Sequence, residues 1–154
     1  MANKNKFIVR NRKAWHEYEI FERFEAGISL VGTEVKSVRE GKVKLVDAFC
    51  QISNNYQLSV HQMEISPYEF GNINNHQTDR IRPLLMHRKE IIRLFSKVKE
   101  KGLTLIPLSL YYKGGRVKIE IALCRGKKLY DKRASLKAKD DKLDMDRAMK
   151  NLDR

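Results

Sequence analysis

The chain has 154 residues and is strongly basic, with 32 Lys and Arg against 19 Asp and Glu, a net charge of +13. Its hydrophobic share of 42% excludes a membrane-embedded or wholly disordered chain, and no stretch reaches the ~18 apolar residues of a spanning helix. The basic N-terminus lacks the apolar stretch of a signal peptide, and two cysteines cannot form a disulfide framework. We therefore expect a cytoplasmic protein, with no membrane association, whose partner is a polyanion such as RNA or DNA.

The first half of the chain predicts a strand, a short helix and a β-hairpin. Apolar Tyr18, Ile20 and Phe24 alternate with charged residues, a period of two that is typical of a half-buried strand. The strand should continue through Gly27 and Gly32, where a bulge or the close approach of another backbone is expected. A helix should follow over 33–40, capped by Thr33 and ended by Gly41. Strands over 48–53 and 56–65 should be joined by a tight turn at Asn54-Asn55, and a loop should follow over 67–79.

The second half contains the clearest periodic signals. An apolar stripe predicts a helix over 88–101, which Gly102 should end. Alternating residues on both sides of Gly114-Gly115 predict a hairpin of strands over 103–112 and 116–124. Five or six antiparallel strands with two or three helices indicate a mainly β fold, a small barrel of the kind that binds oligonucleotides.

The pattern changes at the C-terminus. Residues 131–154 mix many charges with few large apolar groups, too few to hold a helix on a core. We therefore divide the chain into a barrel domain, 1–130, and a basic C-terminal tail, 131–154, that is disordered alone and helical when bound.

Motifs for catalysis or metal binding are missing from the sequence. The cysteines and histidines lie far apart without paired spacing, and no phosphate-binding loop or nucleophile elbow occurs. We expect no metal, no cofactor and no enzymatic activity. One alternative stays open: Glu25, Glu34 and Asp47 could form a metal-dependent nuclease site.

Two stretches combine cations with aromatic rings, as phosphate contact and base stacking require. The first contains Arg10, Arg12, Lys13, Trp15, His16 and Tyr18, and the second runs over 126–133.

Several motifs, in order from about residue 7 to the C-terminus, resemble the SsrA-binding protein family, also called small protein B (SmpB). They are Asn11-Arg12-Lys13-Ala14 with His16-Glu17-Tyr18, Phe24-Glu25-Ala26-Gly27, Gly32-Thr33-Glu34-Val35-Lys36-Ser37, Arg80-Ile81-Arg82-Pro83-Leu84-Leu85, and Gly126-Lys127-Lys128 with Asp131-Lys132-Arg133.

The resemblance implies a closed six-stranded antiparallel barrel, similar to an oligonucleotide-binding fold, with flanking helices. It implies an RNA-binding adaptor of trans-translation that binds the tRNA-like domain of transfer-messenger RNA. Family members deliver that RNA, with elongation factor Tu, to stalled ribosomes. Their tail enters the empty mRNA channel, folds there as a helix and signals vacancy to the decoding centre.

The resemblance also assigns residues. It places RNA contacts at Asn11, Arg12, Lys13, His16, Glu25, Leu85, Lys127 and Lys128, and ribosome contacts at Tyr130, Asp131, Lys132 and Arg133 of the tail. Two assignments have structural alternatives, because Glu25 could be a strand-surface charge and Leu85 could be buried in the barrel. The chain departs from the family at Pro83, where Lys is usual, and at Tyr130, where some members have His.

Other function classes remain open on the sequence alone. The main alternative to ribosome rescue is a ribosomal or ribosome-assembly protein that uses the same barrel and basic tail, and the nuclease is the third.

Overall fold

The computed structural model describes residues 6–71 and 75–126, which form a mainly β structure with three helices in the described part. The strands are β1 (Lys6–Arg10), β2 (Tyr18–Ile28), β3 (Val43–Lys44), β4 (Phe49–Ile52), β5 (Leu58–His61), β6 (Glu64–Ile65), β7 (Arg82–Leu85), β8 (Thr104–Lys113) and β9 (Arg116–Gly126). The helices are α1 (Arg12–Glu17), α2 (Gly32–Arg39) and α3 (Arg88–Lys101). In this part of the chain no helix is long and apolar enough to cross a membrane.

The main sheet closes on itself. Its strands run in the order β1-β8-β4-β5-β7-β2-β9, and β8 also pairs with β9, so that every ring strand has two neighbours. All pairs are antiparallel, and β1 joins the ring from outside along Tyr111 and its neighbours in β8. The predicted mainly β class is confirmed, and the strands form a ring.

Strand β9 contributes to two separate cores. Ile119, Ile121 and Leu123 point into the ring and join its main apolar cluster. Ala122 and Cys124 point outward, into a smaller cluster that contains Ala14 of α1. Helix α1 therefore lies on the outer side of the ring. The alternation of β9 read from the sequence is confirmed, but its second face is apolar wherever α1 covers it.

Helix α3 has the predicted bounds and Gly102 ends it in the left-handed conformation, with φ 60°. Ile91 and Leu94 bury its apolar stripe against the main core. On its other side Arg93 and Lys97 bind the Glu22 carboxylate of β2, at 3.1 and 2.8 Å.

Local details differ from the sequence predictions. Val31, not Thr33, precedes α2, and the Glu34 carboxylate accepts a hydrogen bond from its backbone N–H at 2.9 Å. In the β4–β5 loop, positive φ falls on Tyr56 rather than on either asparagine. The Tyr56 ring packs edge-on against the Phe95 ring, with their centroids 5.4 Å apart, so a tertiary contact accompanies the unfavourable positive φ of Tyr56.

Four elements were not predicted: β1, α1, β3 and β7. Each is short, and each depends on partners far along the chain, β1 on β8 and β7 on both β5 and β2. The proposed tail, 131–154, and the assigned residues Lys127, Lys128, Tyr130, Asp131, Lys132 and Arg133 lie outside the described residues.

Candidate nucleic-acid interface

Asn11 fixes helix α1 to the ring. Its side-chain oxygen accepts from the Ala14 N–H at 3.2 Å and so caps the helix. Its side-chain N–H groups donate to the carbonyls of Leu45 and Pro107, at 3.2 and 3.0 Å. Asn11 is only 3% exposed. The structure therefore places it beneath the surface, where it positions α1.

The helix that Asn11 anchors presents charged and aromatic side chains to solvent. Arg12, Lys13 and His16 are all exposed. Trp15 is 48% exposed, and the guanidinium of Arg23 in β2 lies 5.7 Å from its ring centroid. Tyr18 packs against the apolar cluster of Ala14, but the rest of the cation–aromatic mixture read from the sequence is a surface feature.

Glu25 lies on the same outer side of the ring. The Tyr111 hydroxyl donates to its Oε2 at 2.6 Å, and the Lys113 ammonium lies 3.3 Å from both carboxylate oxygens. The hydrogen bond from Tyr111 lowers the pKa of Glu25, partial burial raises it, and Lys113 lowers it further, so that the net pKa is below the ordinary value. Glu25 is an oriented, ionised acceptor that keeps access to solvent.

Leu85 is beside Glu25 in space although sixty residues separate them in sequence. It pairs with Gly27, two residues after Glu25. A side chain at Gly27 would place its Cβ 3.3 Å from the Leu85 Cβ, so the glycine provides the predicted close approach. Leu85 is 64% exposed, which excludes its burial inside the ring.

Strand register shows which residues share this side of the sheet, because directly opposed residues in antiparallel pairs point the same way. One row crosses five strands and the next row crosses four. The first contains Leu85, Gly27, Lys118, Tyr111 and Phe7, and the second contains Glu25, Glu120, Ser109 and Arg10. We call these two rows, with Arg23, Lys113 and the exposed residues of α1, the outer face.

The outer face contains a pocket of about 310 Å³ between α1 and the sheet. Phe7, Arg10, Trp15, Arg23, Leu108, Ser109 and Glu120 line it. Arg10 and Trp15 belong to the cation–aromatic stretch predicted from the sequence, whereas Phe7, Arg23 and Glu120 were not predicted. The polar alternation in β2 and β9 was a signal for the last two, although only pairing reveals that they are neighbours.

A second charged cluster is buried away from the outer face. Glu34 and Arg82 are both 0% exposed, with Arg82 Nε 2.5 Å from Glu34 Oε2. Arg80 reaches the other carboxylate oxygen at 2.6 Å. Burial raises the pKa of Glu34, but hydrogen bonds from Arg80 and the Val31 N–H and the charge of Arg82 lower it, and the net shift is downward.

The open nuclease alternative finds no support in this arrangement. Glu34 is enclosed by arginines, whereas Glu25 is bound to Tyr111 and Lys113. Across 6–71 and 75–126, no group of three or more His, Cys, Asp and Glu side chains is placed to hold a metal ion. Both cysteines are buried, and burial raises the pKa of Cys124 to about 12.

Comparison with known proteins agrees with the resemblance. A family model described as "SmpB protein" matches residues 8–151. The SsrA-binding protein of Carboxydothermus hydrogenoformans is 53% identical over 145 residues, which cover 94% of this chain and 97% of that protein. The SsrA-binding protein of Desulforamulus reducens is 54% identical over 146 residues, covering 94% and 90%.

A solved structure agrees at the level of the fold. It is described as "tmRNA-SmpB: a journey to the center of the bacterial ribosome" and superimposes with a TM-score of 0.66 at 46% sequence identity. The match covers 79% of this chain and 85% of that chain. The family model and the relatives match nearly the whole length, the fold matches over 79% of the chain, and the chain belongs to the SmpB family of SsrA-binding proteins.

Proposed function

We propose that this chain is an RNA-binding adaptor that binds the tRNA-like domain of transfer-messenger RNA and brings it to stalled ribosomes for trans-translation. One observation carries the proposal: Glu25 and Leu85 lie exposed beside each other across Gly27, on the outer face that α1 also occupies. Family membership supplies the identity of the RNA.

Each exposed group on this face suits one part of an RNA. Arg12, Lys13 and His16 donate to phosphates, which gives affinity without sequence preference. The Glu25 carboxylate accepts from a 2′-hydroxyl or a base amino group. Leu85 offers an apolar contact for unstacked bases. Asn11 contributes by holding α1 in place.

The finer parts of the proposal rest on sequence and family. In this proposal the ring works as a barrel similar to the oligonucleotide-binding fold, on the cytoplasmic ribosome, with elongation factor Tu on the same RNA and no catalytic step of its own. Lys127 and Lys128 contact RNA backbone. Tyr130, directly before the tail, and Asp131, Lys132 and Arg133 at its start contact the ribosome, and the basic tail, 131–154, probes the empty mRNA channel.

Recovery of bound RNA from cells tests the main claim. The tagged full chain should enrich transfer-messenger RNA above all other RNAs, and an Arg12→Gln/Lys13→Gln/Glu25→Gln variant should lose most of that enrichment. Recovery of ribosomal RNA alone would instead favour a ribosomal or assembly protein. Cleavage of labelled RNA by purified protein with Mg²⁺, above background, would contradict the non-catalytic part.

Truncation tests whether the ring binds RNA and the tail acts on the ribosome. A chain ending at Tyr130 should bind transfer-messenger RNA like the full chain but fail to support peptidyl transfer to its alanyl end on stalled ribosomes. Full transfer by the truncated chain would contradict the role of the tail and leave RNA binding by the ring intact.

A further inference from the structure

We propose that the pocket between α1 and the sheet is a binding site for a single unstacked guanine base of RNA. The inference rests on the proposed function, because the RNA is taken to approach the outer face. We call this site the Trp15 pocket and define it by the lining residues Phe7, Arg10, Trp15, Arg23, Leu108, Ser109 and Glu120.

The walls of the Trp15 pocket suit the flat face of a base. Trp15 and Phe7 are about half exposed, at 48% and 46%. Each already has a guanidinium over its ring: Arg23 is 5.7 Å from the Trp15 centroid, and Arg10 is 3.9 Å from the Phe7 centroid. Exposed aromatic rings and guanidinium planes are the surfaces on which proteins stack unpaired RNA bases.

The volume suits one base. At about 310 Å³ the pocket is at the lower end of the ~300–1,000 Å³ range of small-ligand sites. Leu108 adds an apolar surface, and Ser109 is 4% exposed at its strand position between Arg10 and Glu120. A run of stacked nucleotides would need a longer groove.

The polar pair in the pocket provides the selectivity. Arg23 Nη1 lies 3.7 Å from Glu120 Oε1, with side chains 59% and 27% exposed. At that distance the two groups attract each other without a hydrogen bond, so that both keep hydrogen-bonding capacity for a ligand. A guanidinium and a carboxylate are thus presented side by side.

Guanine matches this pair better than the other bases. Its Watson–Crick edge has two adjacent N–H donors, N1–H and the N2 amino group, which fit the two oxygens of one carboxylate. Its O6 acceptor lies next to them, within reach of an arginine, and arginine is the common partner of guanine O6. Adenine and cytosine each offer one donor on that edge, and uracil offers a single imino N–H.

The chain contains a built-in reporter, since Trp15 is its only tryptophan. Three pentanucleotides of equal charge, UUGUU, UUAUU and UUIUU with inosine, are titrated into the full chain while Trp15 fluorescence is followed. We expect guanine to quench Trp15 and to bind about tenfold tighter than adenine. Inosine lacks the N2 amino group and should fall between them.

Glu120→Gln is the decisive variant, because it keeps size and replaces one acceptor oxygen by a donor. Glu19→Gln is a matched control: Glu19 also pairs with an arginine, Arg125, which also stands 5.7 Å over an aromatic ring, Phe21, outside the pocket. Glu120→Gln should abolish the preference for guanine, and Glu19→Gln should retain it. Thermal melting checks that both variants are folded. Arg23→Gln is measured beside them and should also reduce the preference for guanine.

Every outcome bears on the inference. Equal binding of the three RNAs, or a preference for guanine that survives Glu120→Gln, overturns guanine recognition. An unchanged Trp15 signal at millimolar RNA overturns the pocket itself. Transfer-messenger RNA binding is measured in parallel by anisotropy of labelled RNA. If that binding persists while the pocket fails, the inference is wrong and the proposed function stands; if only that binding fails, the proposed function is wrong.

Discussion

The charged atoms of the Glu34–Arg82 pair are enclosed by the fold, whereas on the outer face similar residue types around Arg23 and Glu25 remain open to solvent. Arg82 donates to the carbonyls of Met63, Arg80 and Thr78 as well as to Glu34. Its hydrogen-bonding capacity is consumed internally. The carboxylate of Glu25 is oriented by two donors and still reaches solvent.

Motifs of the same family therefore have two different roles, and burial distinguishes them: buried motifs stabilise the fold and exposed motifs are available to a partner. The Thr33-Glu34 and Arg80–Arg82 motifs meet inside the protein, where an ion pair holds α2 to β7 and to the loop before β7. The Glu25 and Leu85 motifs meet outside, where they are free to contact a partner. Charge alone does not distinguish these cases, because a buried pair and an exposed pair look the same in a sequence.

Removing Arg82 should have the largest effect. Arg82→Met leaves the Glu34 carboxylate and several carbonyls buried without this partner, so we expect a loss of about 3–5 kcal/mol in the free energy of unfolding. Urea denaturation measures it. Arg80→Met is the control and should cost less, because Arg80 is 30% exposed and water can replace it. Equal losses would mean that burial does not separate the two arginines.

Acid should weaken the protein through the same carboxylate. The pKa of Glu34 is below the ordinary 4.5 in the folded state, so its ion pairs stabilise the fold above that pH and are lost as pH falls through the folded pKa. Stability should therefore fall as the pH is lowered below about 4.5 and through the lower pKa of the folded state. Glu22 and Glu25 add to the drop, because their pKa values are also lowered.

Variants separate these contributions to the acid response. Glu34→Gln should flatten the dependence of unfolding free energy on pH. The double variant Glu22→Gln/Glu25→Gln should retain the part due to Glu34. An unchanged slope in Glu34→Gln would show that the buried pair is not the source.

Asn11 tests whether a residue assigned to RNA contact acts by packing. Asn11→Ala removes the α1 cap, worth about 0.5–2 kcal/mol, and two donors to buried carbonyls, so we expect a total loss of about 2 kcal/mol. Asn11→Ser should restore the capping part only. If Asn11→Ala weakens RNA binding without any change in urea denaturation, Asn11 contacts RNA directly and the positioning role is wrong.

The smallest effect on stability is expected at the oriented carboxylate. Tyr111→Phe deletes the hydrogen bond to Glu25 and should cost about 1 kcal/mol. Glu25→Gln should leave the melting temperature nearly unchanged yet weaken binding of the tRNA-like domain in an anisotropy titration. Glu22→Gln is the control, because Glu22 pairs with α3. Collapse of thermal melting in Glu25→Gln would make Glu25 structural.

Much of the fold could be predicted where the signal is local. Periodicity predicted helix α3, the hairpin of β8 and β9 and the strand that begins at Tyr18, and Gly102 marked the end of α3. Each of these signals lies within a short stretch of sequence. Elements β1, α1, β3 and β7 were not predicted, because each is short and is held by partners outside its own segment. The contact of Asn11 with Leu45 and Pro107 is an example.

The sequence by itself determined the family, the mainly β class and the strongly basic composition, because ordered motifs and periodic patterns can be recognised without the fold. Only the tertiary structure decided which charges are buried and which are available. Glu34 and Glu25 are both carboxylates in family motifs. No local sequence pattern indicates that Glu34 is buried against Arg82 while Glu25 faces outward beside Leu85. Burial depends on strand pairing and helix placement, which join residues up to 108 positions apart, as in the pairing of Tyr18 with Gly126. The Trp15 pocket exists for the same reason: Phe7, Trp15, Arg23 and Glu120 become neighbours only when β1, β2 and β9 stand in one sheet beneath α1.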